Sequence, residues 1–199
     1  MPLHKLLIAN RGEIAIRIMH AAAELGYATV GVYSEDDGAS LHIRRADEAR
    51  KLKGRGAGAY LDAAQILDVA EASGCDGIHP GYGFLSEQAA FSRQCAARGI
   101  QFVGPSSDVL ALFGDKTQAR ALAVRCGVAV PKGTDGATDL ARAKAFFAAL
   151  PPGTGMMVKA LAGGGGRGIR AGDTGAFTAD EIAQLSARRT SKAPFQPYE

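Results

Sequence analysis

Two rhythms of apolar residues alternate along the first half of the chain. Leu6 to Ala9 make a short apolar run, a polar turn follows, and Ile14, Ile16, Ile18, Ala22 and Leu25 then recur at spacings suited to one helix face. Gly26 marks the predicted end of that helix. The next apolar run, Ala28 to Tyr33, is β-rich and lies at the distance expected for a βαβ crossover to a parallel neighbour. A second unit follows: Leu61 to Ala72 predicts a helix, Gly77 to His79 a short strand, Ser86 to Arg98 a helix and Ile100 to Val103 another strand. Gly99 and Gly104-Pro105 punctuate the last of these elements.

Strand and helix alternating in this way imply an α/β domain, a parallel sheet covered by helices, with ligands expected at the carboxyl ends of the strands. That domain, residues 1–113, is predicted to give way to a second at 114–199. Asp115 to Cys126 reads as a helix stopped by Gly127, Val128 to Pro131 as a short extended run, and Ala137 to Leu150 as an alanine-rich helix ended by Pro151-Pro152. Met156 to Leu161 is the strand feeding a glycine loop, and Ile169 to Asp173 a second strand and turn. Ala179 to Arg188 carries a weak helical pattern, and the two prolines of the closing SKAPFQPYE argue against continued regular structure. No internal repeat is visible.

Composition narrows the class without naming a function. A length of 199 residues allows one large domain or one domain with part of another. The formal net charge of +3 comes from basic residues scattered among acids, which does not point to a nucleic-acid partner. The apolar run before Asn10 is too short for a signal-peptide core or a membrane span, so the chain reads as cytoplasmic with no membrane partner. Cys75, Cys95 and Cys126 are odd in number, widely spaced and never in a CxxC pair, which predicts buried reduced thiols and neither a disulfide framework nor a zinc site.

Candidate chemistry sits in a few short stretches. Gly163 to Gly168 can be written GxGxxG, but a dinucleotide fingerprint must open a helix, and Ile169-Arg170-Ala171-Gly172 reads as a strand. The Walker form fails because no Gly-Lys-Ser/Thr follows. What remains is strand, glycine loop, strand: a hairpin flap whose N–H groups can close over a polyphosphate as an anion nest. A plain surface turn is the competing reading. Lys159, on the strand entering the flap, and Arg167 within it could reach phosphate oxygens. Lys116, at a predicted helix start, reads by itself as a solvated lysine. His79-Pro80-Gly81-Tyr82-Gly83-Phe84-Leu85-Ser86-Glu87 lies where a strand ends and a helix begins, with Tyr82 offering a ring face and a hydroxyl. There Ser86 could cap the helix, and His79 by itself reads as a hydrogen-bonded structural histidine. Asn10-Arg11-Gly12-Glu13 reads as a structural turn whose Arg11 pairs with a carboxylate at least as readily as it reads as a phosphate site.

These stretches together resemble one family. IANRGEIAIRI at 8–18, IHPGYGFLSE at 78–87, FVGPS at 102–106, GDK at 114–116 and VKALAGGGGRGIR at 158–170 closely resemble the biotin carboxylase component of biotin-dependent carboxylases, ligases whose members include the acetyl-CoA carboxylase of fatty acid biosynthesis. The resemblance covers residues 3 to about 172. It implies a doubly wound parallel-sheet N-terminal domain, Rossmann-like, followed by the incomplete start of an ATP-grasp domain. It also implies formation of carboxyphosphate from ATP and bicarbonate, then carboxylation of biotin at N1′. Carried over by motif, Lys116 and Lys159 bind ATP phosphates, and Gly163, Gly164, Gly165, Gly166 and Arg167 form the closing flap. Tyr82 and Gly83 line the biotin side, with His79 supporting their turn. The implied cofactors are ATP with Mg2+, and biotin as a carried substrate. The implied partners are a biotin carboxyl carrier protein or domain, a carboxyltransferase and a second copy in a homodimer.

The chain also departs from that family. After Arg170 the acids are Asp173, Asp180, Glu181 and Glu199, with no Glu-x-Asn pairing, so no catalytic residue and no metal ligand is assignable. Phosphoryl transfer depends on metal and positioned charge for most of its rate, so these residues alone are expected to be inactive. The segment ARRTSKAPFQPYE departs too, as an altered reading frame, a split gene, a shortened chain or a degenerate copy would produce. The competing functions are a non-catalytic nucleotide-binding or subunit-interaction module and, on GxGxxG alone, a dinucleotide-dependent oxidoreductase. The final carboxyl acceptor, whether an acyl-CoA, pyruvate or urea, is not legible.

Overall fold

A computed structural model describes residues 3–134, 136, 138–151, 154–159 and 169–172. The chain divides into two compact units, Met1–Gly114 and Asp115–Glu199. The first unit is built on strands β1 (Lys5–Ile8), β2 (Ala28–Tyr33), β3 (Glu48–Lys51), β4 (Gly77–His79) and β5 (Gln101–Phe102), all parallel, in the order β3-β2-β1-β4-β5. Its helices are α1 (Gly12–Glu24), α2 (Gly56–Tyr60), α3 (Ala63–Ala72), α4 (Ala89–Ala97) and α5 (Ser107–Gly114).

Period two along β1 explains why helices cover both faces. Leu7 and Ala9 join Val30, Val32, Leu52, Ile66, Leu67, Ile78 and Phe91 in one buried cluster, which α3 and α4 close. Ile8 points the other way, into a smaller cluster with Ala15 and Met19 of α1. The sheet is tight there: a Cβ on Gly31 would lie 3.1 Å from both Ala46 Cβ and Met19 Cε. The winding therefore reverses between β1 and β4, as the right-handed crossover rule requires of this strand order. That reversal fixes where a crevice opens.

Differences from the predicted elements have local causes. Strand β3 (EARK) lacks apolar alternation because it is the polar edge of the sheet, where Glu48 pairs with Lys5 and Arg50. Helix α2 carries two glycines, which mask its helical character, and is anchored by the buried Tyr60. Helix α3 starts at Ala63 instead of Leu61 because the Asp62 carboxylate caps it through Gln65 N–H. Helix α4 starts at Ala89, three residues after the predicted Ser86. Ser86 does not cap it; Gln88 holds the N-cap position without a side-chain cap, and Ser86 and Gln88 donate their N–H groups to tight turns closed on Gly83 and Leu85. Cys75 and Cys95 are buried free thiols, but Cys126, past the end of a polar helix, is exposed.

The second unit contains α6 (Lys116–Arg125), α7 (Leu140–Ala148), β6 (Met156–Lys159) and β7 (Ile169–Gly172). Asp115 caps α6, accepting from Thr117 N–H at 2.8 Å and Gln118 N–H at 3.1 Å. Those bonds, that from Gln118 foremost, hold its carboxyl below the usual carboxylate range. Asp139 caps α7 through Arg142 N–H, which moves the start from the predicted Ala137 to Leu140. The extended run Val128 to Pro131 joins no strand.

One polar network ties the loops of the first unit together. Asp37, beyond the end of β2, accepts from Tyr60 Oη at 2.7 Å, Arg11 Nη1 at 3.0 Å and Ser40 Oγ at 3.1 Å. Burial alone would push the Asp37 carboxyl up, but the hydrogen bonds from Tyr60, Arg11 and Ser40 outweigh it and hold the carboxyl below its ordinary value. Burial, and then the bond to Asp37, push the Tyr60 phenol up to about 12.

Two outcomes follow from this packing. Leu7→Ala empties a site that is 0% exposed on the central strand, and should cost about 2–5 kcal/mol in a urea unfolding midpoint followed by circular dichroism. Because the folded-state value of Tyr60 lies above its unfolded value, its contribution is complete below about pH 10 and is lost as pH rises towards 12. Alkaline titration of stability should therefore fall in that window, and Tyr60→Phe should flatten the fall; an unchanged alkaline limb in the variant would count against the Tyr60–Asp37 bond.

Candidate functional site

The crevice between β1 and β4 is bordered by two turns. After β1 the chain runs Asn10-Arg11-Gly12 into α1, and after β4 it runs through Pro80 to Leu85 before α4. Asn10 is fully buried between them. Its Nδ2 donates to Pro80 O at 2.7 Å and to Tyr82 O at 3.0 Å, while its Oδ1 accepts from Arg11 N–H at 2.9 Å. Gly81 sits between the two clasped carbonyls at φ +67°, and a Cβ there would lie 2.6 Å from Asn10 Nδ2 and 2.8 Å from Ile14 Cγ2. Only glycine fits that combination of backbone and space.

The turn beyond is held from the other side as well. Gly81 N–H donates to His79 Nδ1 at 3.0 Å, so the neutral ring carries its proton on Nε2. Burial pushes the His79 pKa down, which favours that neutral form. Phe84 has φ 43°, the one non-glycine residue in the left-handed region among those described, and its ring stacks on Tyr60 at 5.2 Å. Leu85 is buried beneath the turn, while the Tyr82 side chain stands 69% exposed. His79, Tyr82 and Gly83 thus share one braced turn at the carboxyl edge of the sheet.

The start of α1, where a Rossmann protein holds pyrophosphate, is already occupied. Gly12 N–H points at His42 Nδ1, 3.4 Å away, and the buried His42 ring donates from Nε2 to Val32 O at 3.1 Å. Arg11, as the sequence suggested, pairs with a carboxylate, that of Asp37. An acid beyond β2 is where such folds bind ribose, yet here its oxygens are taken by Arg11, Tyr60 and Ser40. From the sequence Asn10 reads only as part of a structural turn, and His42 is missed, because a single polar residue carries no spacing signal. The one available hint was a carboxamide directly after the apolar run Leu6 to Ala9.

The predicted phosphate-binding residues fall in the second unit. Lys116 opens α6 and is exposed. Lys159 ends β6, whose antiparallel register with β7 pairs Lys159 with Ile169. The GxGxxG stretch is therefore followed by a strand and not by a helix, which removes the dinucleotide fingerprint. Gly163, Gly164, Gly165, Gly166 and Arg167 lie outside the described residues. Among the described residues no group of three or more His, Cys, Asp or Glu side chains is placed to hold a metal ion. No helix among them is long and apolar enough to cross a membrane.

Comparison with known proteins agrees with this architecture. The family model described as biotin carboxylase, N-terminal domain, matches residues 2–110. Pyruvate carboxylase of Staphylococcus aureus is 49% identical over 172 residues, which are 83% of this chain and 14% of that enzyme. The biotin carboxylase domain of a single-chain bacterial carboxylase superposes with a TM-score of 0.74 at 54% identity, covering 78% of this chain and 36% of that one. The biotin carboxylase domain dimer of Hydrogenobacter thermophilus 2-oxoglutarate carboxylase, solved with MgADP, ADP and bicarbonate, superposes with a TM-score of 0.84 at 39% identity, over 94% of this chain and 40% of that one. The chain thus spans a small part of the full enzymes it matches. With the parallel sheet, its reversal at β1 and β4 and the matched span all in agreement, the chain belongs to the biotin carboxylase N-terminal domain family.

Proposed function

We propose that the chain is the N-terminal portion of a biotin-dependent carboxylase, supplying the biotin-side turn and the first ATP-binding elements of a biotin carboxylase. The observation that carries this reading is the superposition, over nearly the whole chain, on a biotin carboxylase domain that holds MgADP and bicarbonate. In that reaction bicarbonate attacks the γ-phosphorus of ATP and ADP leaves; the carboxyphosphate formed then gives its carboxyl group to biotin N1′, which loses its proton, and inorganic phosphate is released. Residues 114–199 are the start of an ATP-grasp domain in this reading. Lys116 and Lys159 meet ATP phosphates, while Gly163 to Gly166 with Arg167 close over them. The antiparallel β6–β7 pair supports the flap, because it brings residues 159 and 169 side by side at the base of the loop.

Biotin, presented on a carboxyl carrier protein or domain, is placed against Tyr82 and Gly83, with His79 bracing the turn. A carboxyltransferase and a second copy of the chain complete the proposed assembly, in the cytoplasm. The acceptor is left open by the comparisons themselves, since a pyruvate carboxylase and a 2-oxoglutarate carboxylase match the same region. The family model that matches covers the biotin carboxylase N-terminal domain.

Lys116→Gln and Lys159→Gln should each weaken binding of a fluorescent ATP analogue by about tenfold, the scale of one lost charge-assisted contact to phosphate. Equal affinity in both variants would remove the two lysines from the site. The 199 residues alone, given ATP, bicarbonate and free biotin, should release no ADP above background; biotin-dependent turnover would show that residues 1–199 suffice for the reaction.

A further inference from the structure

In doubly wound folds the reversal point is the usual ligand crevice. Here the protein's own carboxamide fills it. Both Asn10 amide protons are committed to main-chain carbonyls of the opposite turn, and Oδ1 is committed to Arg11 N–H. The two carbonyls, of Pro80 and Tyr82, flank Gly81, which Asn10 approaches more closely than any side chain there would permit. Beyond the clasp Tyr82 and Gly83 are exposed, whereas Phe84 and Leu85 turn back towards the core. We infer that Asn10 is a positioning residue: it plugs the crevice between β1 and β4 and sets the height of the 79–85 turn, so that a ligand is taken on the outer surface of that turn, against Tyr82, instead of inside the crevice.

The inference rests on the reading of Tyr82 and Gly83 as the biotin side, and it explains why the turn can serve there. A turn containing two glycines at positive φ would otherwise sample many conformations. The clasp from Asn10, the fixed φ of Pro80 and the Phe84 stack on Tyr60 remove that freedom before any ligand arrives. Asn10→Asp tests the donors specifically. It keeps the shape, loses both N–H groups and turns a carboxylate towards two carbonyl oxygens.

Nuclear magnetic resonance of the full 199-residue chain reads the outcome. Asn10 is the only asparagine in the sequence, so its side-chain amide signal is unambiguous. In the unmodified chain that amide should be protected from solvent exchange; exchange as fast as that of the exposed Gln94 overturns the proposal, whether or not any variant folds. In Asn10→Asp the Gly81 and Ser86 amides should exchange at least about tenfold faster, as expected for losing two hydrogen bonds, while those of Leu7 and Val30 stay within about twofold. A uniform rise across the unit, or none, assigns Asn10 a purely structural role and overturns the inference. Titration with free biotin then separates the two readings. Shifts at Tyr82 and Gly83 in the unmodified chain that vanish in Asn10→Asp support both. Absence of such shifts, with the local exchange effect intact, rejects the biotin side and leaves the positioning role standing.

Discussion

The burial of β1 on both faces, between two parallel neighbours, is the constraint on which the rest of the first unit depends. Leu7 and Ile8 are both inaccessible and point to opposite sides of the sheet, so helices must pack on both. Covering both faces with right-handed crossovers forces the chain to reverse direction beside β1. The reversal parts the loops after β1 and β4, and a polar gap in that position must be filled or hydrated. Asn10, the second residue after the strand, fills it with three hydrogen bonds to main chain.

From that point the carboxyl edge becomes a single connected structure. The clasp joins the first and fourth strand ends. Asp37 joins the end of β2 to Arg11 and to Tyr60, and Tyr60 carries the Phe84 ring of the β4 turn. The hydrogen-bonded links satisfy buried or half-buried polar groups, and those at Asp37 also occupy the carboxylate that a dinucleotide's ribose would need. The fold is therefore Rossmann-like in topology without a Rossmann cofactor site. The feature that would hold pyrophosphate, the first amide of α1, faces His42 instead.

The second unit is organised differently. Its two described helices are capped by Asp115 and Asp139, and among the described residues Ala143 and Met156 are its buried apolar side chains. Val124, Val128 and Met157 are more than half exposed.

The sequence by itself determined the elements whose signal is local. Strands β2 and β4 fall where a β-rich apolar run and a short strand were predicted, α1 follows its apolar spacing towards Gly26, and the two strands flanking the glycine loop were legible from residue type alone. Five short motifs in order carried the family. Tertiary structure alone decided whatever depends on residues far apart in sequence. The edge strand Glu48–Lys51 has no apolar pattern because its stability comes from pairing with β2. The start of α4 shifted because the braced turn consumes Ser86 to Gln88. Asn10, His42 and Asp37 are unremarkable in a one-dimensional pattern, since a hydrogen-bond partner 30 or 70 residues away leaves no periodic trace. Periodicity reports which side of an element is dry; only the folded chain shows which polar atom each buried donor meets.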